Sequence, residues 1–292
     1  MGGPTVEPMI SMWHFQWGAI VIILAFVYIK VSGSLTKKYG QKGDTLSVYH
    51  KISFFIGLFF IFLAKGTPLD DIGMKYLFSA HMGEMALEYL IIPPLLLLGI
   101  PAWVARKILK VPFIDKMVSS MTKPIIAIIL FNLFFSIYHV PFIFDFMANH
   151  HPFHNIYNIV MILLSIFMWW PITCPVSEKD HLSELQKMGY IFANSVLLTP
   201  ACALIIFSGT PLYHFYGQEV PHILPSLSVV EDQQFGGTIM KIVQEIVNGL
   251  ALGFVFYQWM KKQQEQDKRE EKIPVKGYKY LEVSHKTNHA GR

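Results

Sequence analysis

The sequence predicts an all-α, polytopic membrane protein: a bundle of about seven transmembrane helices with its N-terminus outside and its C-terminus in the cytoplasm. Three observations carry this expectation. Of 292 residues, 53% are hydrophobic and only 15% charged, against roughly 25% charged in an ordinary globular domain. The apolar residues gather into runs at 14–31, 47–64, 76–103, 124–144, 155–172, 188–208 and 237–260, and a bilayer core of about 30 Å needs about 20 such residues per helix. Lysine and arginine occupy alternate connections, as membrane topology demands. Residues 1–262 are thereby expected to form the transmembrane domain and 263–292 a cytoplasmic tail.

The first span follows MGGPTVEPMISMWHF, which has no Lys or Arg ahead of the apolar run and no small-residue cleavage site behind it. It is expected to be retained and not cleaved as a signal. The third span is longer than a crossing requires and holds Pro93 and Pro94. These predict a kink or break near its middle, with the freed carbonyls covered by neighbouring helices. The fourth brings Asn132, Ser136 and His139 onto one face, followed by Pro141 and Asp145. Before the fifth span, in MANHHPFHN, Pro152 suits a first helical turn, so His150 or His151 is expected at the cap and His154 within that turn. The sixth has Asn194, Ser195, Thr199 and Cys202 around Pro200, residues that join helices in a bundle. On the seventh, Lys241 and Glu245 stand one turn apart and predict an ion pair within the membrane. The tail that follows, KKQQEQDKREEK, alternates in sign and is expected to extend the helix into solvent.

The basic residues set the orientation. Lys30, Lys37, Lys38, Lys42 and Lys51 flank the first connection; Arg106, Lys107, Lys110, Lys116 and Lys123 follow the third span; Lys261 and Lys262 begin the tail. Those faces are expected to be cytoplasmic. The connections at 145–154 and 209–236 contain no Lys or Arg, and 65–75 has Lys65 and Lys75 against Asp70 and Asp71. Topology alone thus accounts for the formal charge of +4, and no nucleic-acid partner is implied. Cys174 and Cys202 show no paired spacing, so neither a disulfide framework nor a thiolate metal chaperone is indicated. There is no HExxH, GxSxG or Gly-rich phosphate loop, so hydrolase chemistry is not indicated and a non-enzymatic role is expected.

On this topology eight of the twelve histidines fall on the outer side: His14, His81, His139, His150, His151, His154, His214 and His222. In AHMGEMALEYL the residues His81, Glu84, Met85 and Glu88 share one helical stripe. Two glutamates in an apolar span are costly. They belong either to a hydrogen-bonded cluster that joins helices or to a pathway or site. An imidazole and a thioether one turn apart suit Cu(I) better than zinc or magnesium. His139 taken singly is an ordinary buried histidine, and MANHHPFHN taken singly is a polar connection.

The stretch LFSAHMGEMALEYLIIPPLLLLGIPAW resembles the third-helix signature of the CtaG family of bacterial cytochrome c oxidase assembly factors, in which a histidine-containing turn precedes a PPLLxLG run. YHVPFIFD followed by HHPFHN is similar to that family's histidine segment, WWP at 169–171 to its Trp-Pro helix end, and EDQQFGGTIM to its DQxxGG segment. The resemblance implies a multi-pass protein of the bacterial plasma membrane that helps copper reach the oxidase at the outer face. It carries His81, His139, His150 and His154 over as candidate ligands, with Asp232 and Gln233 in the later motif. Where many relatives have a second histidine four residues after the first, this chain has Met85.

The expected site is therefore Cu(I) held by His81, Met85, His139, His150 and His154, with Glu84, Asp145, His151, Asp232 and Gln233 in support. The expected partners are oxidase subunits, the lipid bilayer, other copper chaperones and a second copy of the chain. Two alternatives stand beside it. His81 and His139 could be axial ligands of one haem in a b-type cytochrome, or Glu84, Glu88, Lys241 and Glu245 could line an ion or metal transport pathway.

Overall fold

The computed structural model describes residues 8–41, 44, 46–219 and 226–270, and among these there is no strand. Six helices are long and apolar enough to cross a membrane. They are built on α1 (Phe15–Lys30), α2 (Val48–Lys65), α4 (Phe78–Gly99), α9 (His151–Thr173), α10 (Glu184–Ile206) and α11 (Val229–Glu270). Shorter helices lie between them: α3 (Leu69–Lys75), α5 (Ala102–Ile108), α6 (Pro112–Met121), α7 (Pro124–Tyr138) and α8 (Pro141–Asn149). Helix α1 continues through a wider turn at Val31–Leu35 as far as Tyr39.

The expected fourth span, 124–144, is corrected by the structure. Helix α7 ends at Tyr138 and is bent by 80° from α6, so only the bent pair together makes a seventh crossing. Fifteen residues rise about 22 Å, short of a core of about 30 Å. The cause of the early end is Pro141, which has no N–H to offer the Ile137 carbonyl and disfavours helical geometry at the residue before it. Val140 accordingly has ψ 124°, and the chain restarts as α8.

Helix α4 is the axis of the bundle. Two thirds of its most apolar window, 67%, is buried, against 11–39% for the other candidate spans. It packs against α2, α9 and α11, while α7 lies against α9 and α10, and α10 against α11. The kink expected at Pro93 and Pro94 takes the form of a π turn over Leu87–Ile91. Pro93 leaves the Tyr89 carbonyl without its helical donor. Helix α9 supplies two replacements: the Ser165 hydroxyl donates to that oxygen at 2.5 Å and the Trp169 indole N–H at 3.1 Å.

At the end of the bundle that carries the lysines, Arg106 of α5 grips both carboxylate oxygens of Asp44 and reaches Glu178 at 3.3 Å. Burial pushes the Asp44 carboxyl up, but the Arg106 hydrogen bonds and charge, with the Gln41 N–H, hold it below its ordinary value of 3.8. A carboxyl lowered by folding contributes stability that is complete above its unfolded value of about 3.9 and is lost as pH falls through the lower folded value. Acid unfolding in detergent should show this loss below about pH 4, and Arg106→Gln should reduce it. Ser165→Ala and Trp169→Phe should each cost about 1 kcal/mol in thermal unfolding. Together they should cost more than their sum, because the Tyr89 carbonyl is then buried without a donor.

Candidate metal centre

The site is built on the first turns of α4. Leu77, at its N-cap, has no side chain able to accept its free N–H groups. Asp232 of α11 supplies the missing acceptor, taking the Phe78 N–H at 2.7 Å and the Ser79 N–H at 3.2 Å, and is itself 5% exposed. Beside it, the Gln233 side-chain oxygen accepts from the Leu212 N–H at 2.8 Å. Gly236 lets the fully buried Phe78 ring approach so closely that a Cβ would stand 2.7 Å from it. Gly73 of α3 does the same on the other side, where a Cβ would stand 2.8 Å from the backbone nitrogen of His81. His81 is thus placed one turn into a helix gripped from two sides.

Two imidazole pairs meet there, and both join α4 to α7. His81 Nε2 lies 3.0 Å from the Tyr138 hydroxyl, its Nδ1 has no hydrogen-bond partner, and its ring centroid is 5.9 Å from that of His154. His139 Nδ1 lies 2.8 Å from the Phe135 carbonyl, and its Nε2 lies 3.3 Å from the Met82 sulfur. A carbonyl only accepts, so Nδ1 carries the hydrogen and the neutral ring presents a lone pair at Nε2. The thioether is also only an acceptor. Neither atom brings a hydrogen to the contact. An imidazole whose Nδ1–H is anchored on a carbonyl is the usual orientation of a metal-ligating histidine, and a thioether beside it favours a soft monovalent ion.

The other expected residues are distributed around this core. Met85 is buried in the apolar core, and Met82 supplies the sulfur that faces an imidazole. His150 is exposed, bonds the Phe146 carbonyl through Nδ1 at 2.8 Å and stacks on the Phe146 ring, which makes it a cap for α8. His151 is exposed at the start of α9, and His154, one turn in, is partly buried and turned toward His81 and Tyr138. Among the described residues no three His, Cys, Asp or Glu side chains form a group able to hold a metal ion. What the fold brings together is a nitrogen–sulfur pair and, across Tyr138, a looser pair of imidazoles.

The segment before α11 closes over this core. The Tyr213 hydroxyl donates to the His139 carbonyl at 3.1 Å, and its ring stacks on Phe78. Asp145 accepts from the N–H groups of His214 and Phe215 at 3.2 and 3.1 Å, and the Tyr216 hydroxyl donates to the Gly73 carbonyl. His214 is exposed; His222 lies outside the described residues.

A family model for cytochrome c oxidase caa3 assembly factors (Caa3_CtaG) matches residues 26–262, which include every residue of this centre. The chain belongs to that family. It is also similar to uncharacterized proteins of Mycobacterium bovis and Mycobacterium tuberculosis, each 24% identical over 92% of this chain, and to one of Mycobacterium leprae, 23% identical over 88%. The chain spans about two fifths of the length of these relatives, 40–42%. No solved structure matches it. Its apolar helices and its family together make it a multi-pass membrane protein of bacteria.

Beneath these imidazoles lies an ion cluster whose centre local spacing does not reveal. Lys65 Nζ stands 2.6 Å from Glu84, 2.9 Å from Glu88 and 3.2 Å from Asp70. By position Lys65 belongs to a connection; its signal is that it ends an apolar span one helix away from two glutamates without a cation on their own helix. Burial pushes the Asp70 carboxyl up, but its hydrogen bond with Glu84 and the nearby Lys65 charge hold it below the usual range. Lys241 and Glu245, by contrast, form the expected i,i+4 pair at 2.6 Å. The Asp232 clamp has a direct test: Asp232→Ala should cost about 1–2 kcal/mol in thermal unfolding. Asp232→Asn, which keeps one acceptor oxygen, should cost less.

Proposed function

We propose that this oxidase assembly factor handles Cu(I) at the outer face of the plasma membrane and passes it to cytochrome c oxidase subunits, without catalytic turnover. The observation that carries the reading is the contact of His139 Nε2 with the Met82 sulfur, an imidazole lone pair and a soft thioether facing each other 3.3 Å apart with no hydrogen between them. The distribution of Lys and Arg supports the orientation, since it puts the histidine end of the bundle outside.

Copper is cargo in this scheme, and an incomplete donor set suits cargo. His139 and Met82 provide two ligands held by a buried frame. The free Nδ1 of His81 and the partly buried His154 offer further donors on the side nearer solvent. An incoming donor from an oxidase subunit or another copper chaperone would take the ion by ligand exchange. The carbonyl anchor at His139 Nδ1 keeps that ring oriented before and after the exchange.

The test is Cu(I) retention by protein purified in mild detergent under reducing conditions, together with its visible spectrum. His139→Ala, Met82→Leu and His154→Ala should each weaken retention by about tenfold or more, about 1.4 kcal/mol, while His181→Ala, at the opposite end, should not. Equal retention in all four overturns the site. A Soret band without copper would replace the reading with a b-type cytochrome. Neither metal nor haem, with oxidase assembly intact in a deletion strain, would favour transport.

A further inference from the structure

At the end of the bundle that carries the lysines, a pocket of about 320 Å³ opens between the continuation of α1 and helix α5. Tyr39 and Gln41 line one side, and Trp103, Arg106, Lys107 and Lys110 the other. Its size suits a small ligand or a headgroup. The Trp103 ring is fixed, because its indole N–H donates to the Thr36 hydroxyl at 2.8 Å, and it stands 6.1 Å from the Tyr39 ring. Arg106 is committed to Asp44 and Glu178 and so forms wall, not free charge. Lys107 and Lys110 are exposed and have no carboxylate partner among the described residues, whereas Lys179 and Lys262 at the same end are each held by one. A third cation, Lys38 Nζ, stands 5.2 Å from the centre of the Tyr39 ring.

A second observation says what reaches this pocket. The chain beside the two lysines exposes apolar side chains: Ile108 is 49%, Val111 47% and Phe113 76% exposed. Helix α6, near whose start Phe113 stands, is bent by 80° from α7, so where α7 runs into the bilayer α6 runs along its surface. Exposed apolar side chains alternating with lysines, flanked by Trp and Tyr, match the boundary between headgroups and acyl chains. The pocket therefore opens at the level of lipid phosphates.

We propose that this pocket binds the phosphate headgroup of an anionic phospholipid. Lys107 and Lys110 hold the phosphate, the rings of Tyr39 and Trp103 flank the glycerol, and Ile108, Val111 and Phe113 lie along the acyl chains. Charge and depth together select this occupant. A zwitterionic lipid brings its own cation toward the lysines and gains less, and a soluble phosphate gains nothing from the apolar edge. Basic pockets between helix ends hold anionic headgroups on the same principle. The site lies at the opposite end of the bundle from His139 and Met82, so it stands independently of the copper reading.

Native mass spectrometry of the full-length chain in mild detergent tests this. Added dioleoyl phosphatidylglycerol should give a one-lipid adduct about tenfold more abundant than the same amount of dioleoyl phosphatidylcholine gives. Lys107→Ala combined with Lys110→Ala should reduce that adduct about tenfold. Lys116→Ala combined with Lys123→Ala removes the same charge from exposed positions at the same end and should leave it unchanged. Lys107→Arg combined with Lys110→Arg keeps the charge and should retain the adduct, which separates lost binding from lost folding. The proposal is overturned if phosphatidylcholine binds equally, if both alanine pairs lose the adduct alike, or if the arginine pair loses it too. Displacement by excess inorganic phosphate would also overturn it, since the site would then serve a soluble anion.

Discussion

The Asp232 carboxylate at the start of α4 is the interaction on which the rest of the bundle depends. An α-helix begins with four N–H groups that have no partner in the helix, and inside a bundle no bulk water reaches them. Here the acceptor comes from α11, more than 150 positions away in the chain. It fixes the height of α4 relative to α11, and α4 in turn packs on α2 and α9. A negative charge at that end also faces the positive pole of the helix macrodipole. The axial position of His81 and Met82 therefore depends on a contact that neither residue makes.

The site combines a rigid half with an adaptable one. His139, Met82 and Tyr138 are each at most 1% exposed and sit among packed rings. His154 stands at the edge, and His150 and His151 are out in solvent on either side of a helix junction. The Lys65 cluster lies one turn below. Its single ammonium is shared by Glu84, Glu88 and Asp70, so the cluster sets more carboxyl groups than cations beneath the imidazoles.

How much of this was legible in the sequence depends on the range of each interaction. The π turn and its covered carbonyl followed from Pro93; the Lys241–Glu245 pair followed from a spacing of four; the start of α9 followed from Pro152. All are local. The donors that face each other were not local: His81 meets Tyr138 and Met82 meets His139, each across 57 positions. Helical periodicity tells which residues share a face of one helix, but not which face of another helix they meet. It therefore pointed to Met85, one turn from His81, and passed over Met82. The family motifs marked Asp232 and Gln233 without their roles, because a cap supplied from a distant helix leaves no trace in local spacing. Pro141 lies inside the expected span 124–144, and its effect falls upstream of itself: the helix already ends at Tyr138.

The shortness of α7 also acts on the lipid. A helix of about 22 Å in a hydrocarbon layer of about 30 Å is mismatched, and the bilayer answers by thinning around it. In this protein the short helix ends at Tyr138, with His139 as its cap. The membrane should therefore dimple beside the imidazole–thioether pair, bringing the aqueous boundary down toward donors buried in protein. A metal or a partner domain could then approach without a pore, and hydrophobic thickness itself would become a variable that tunes access.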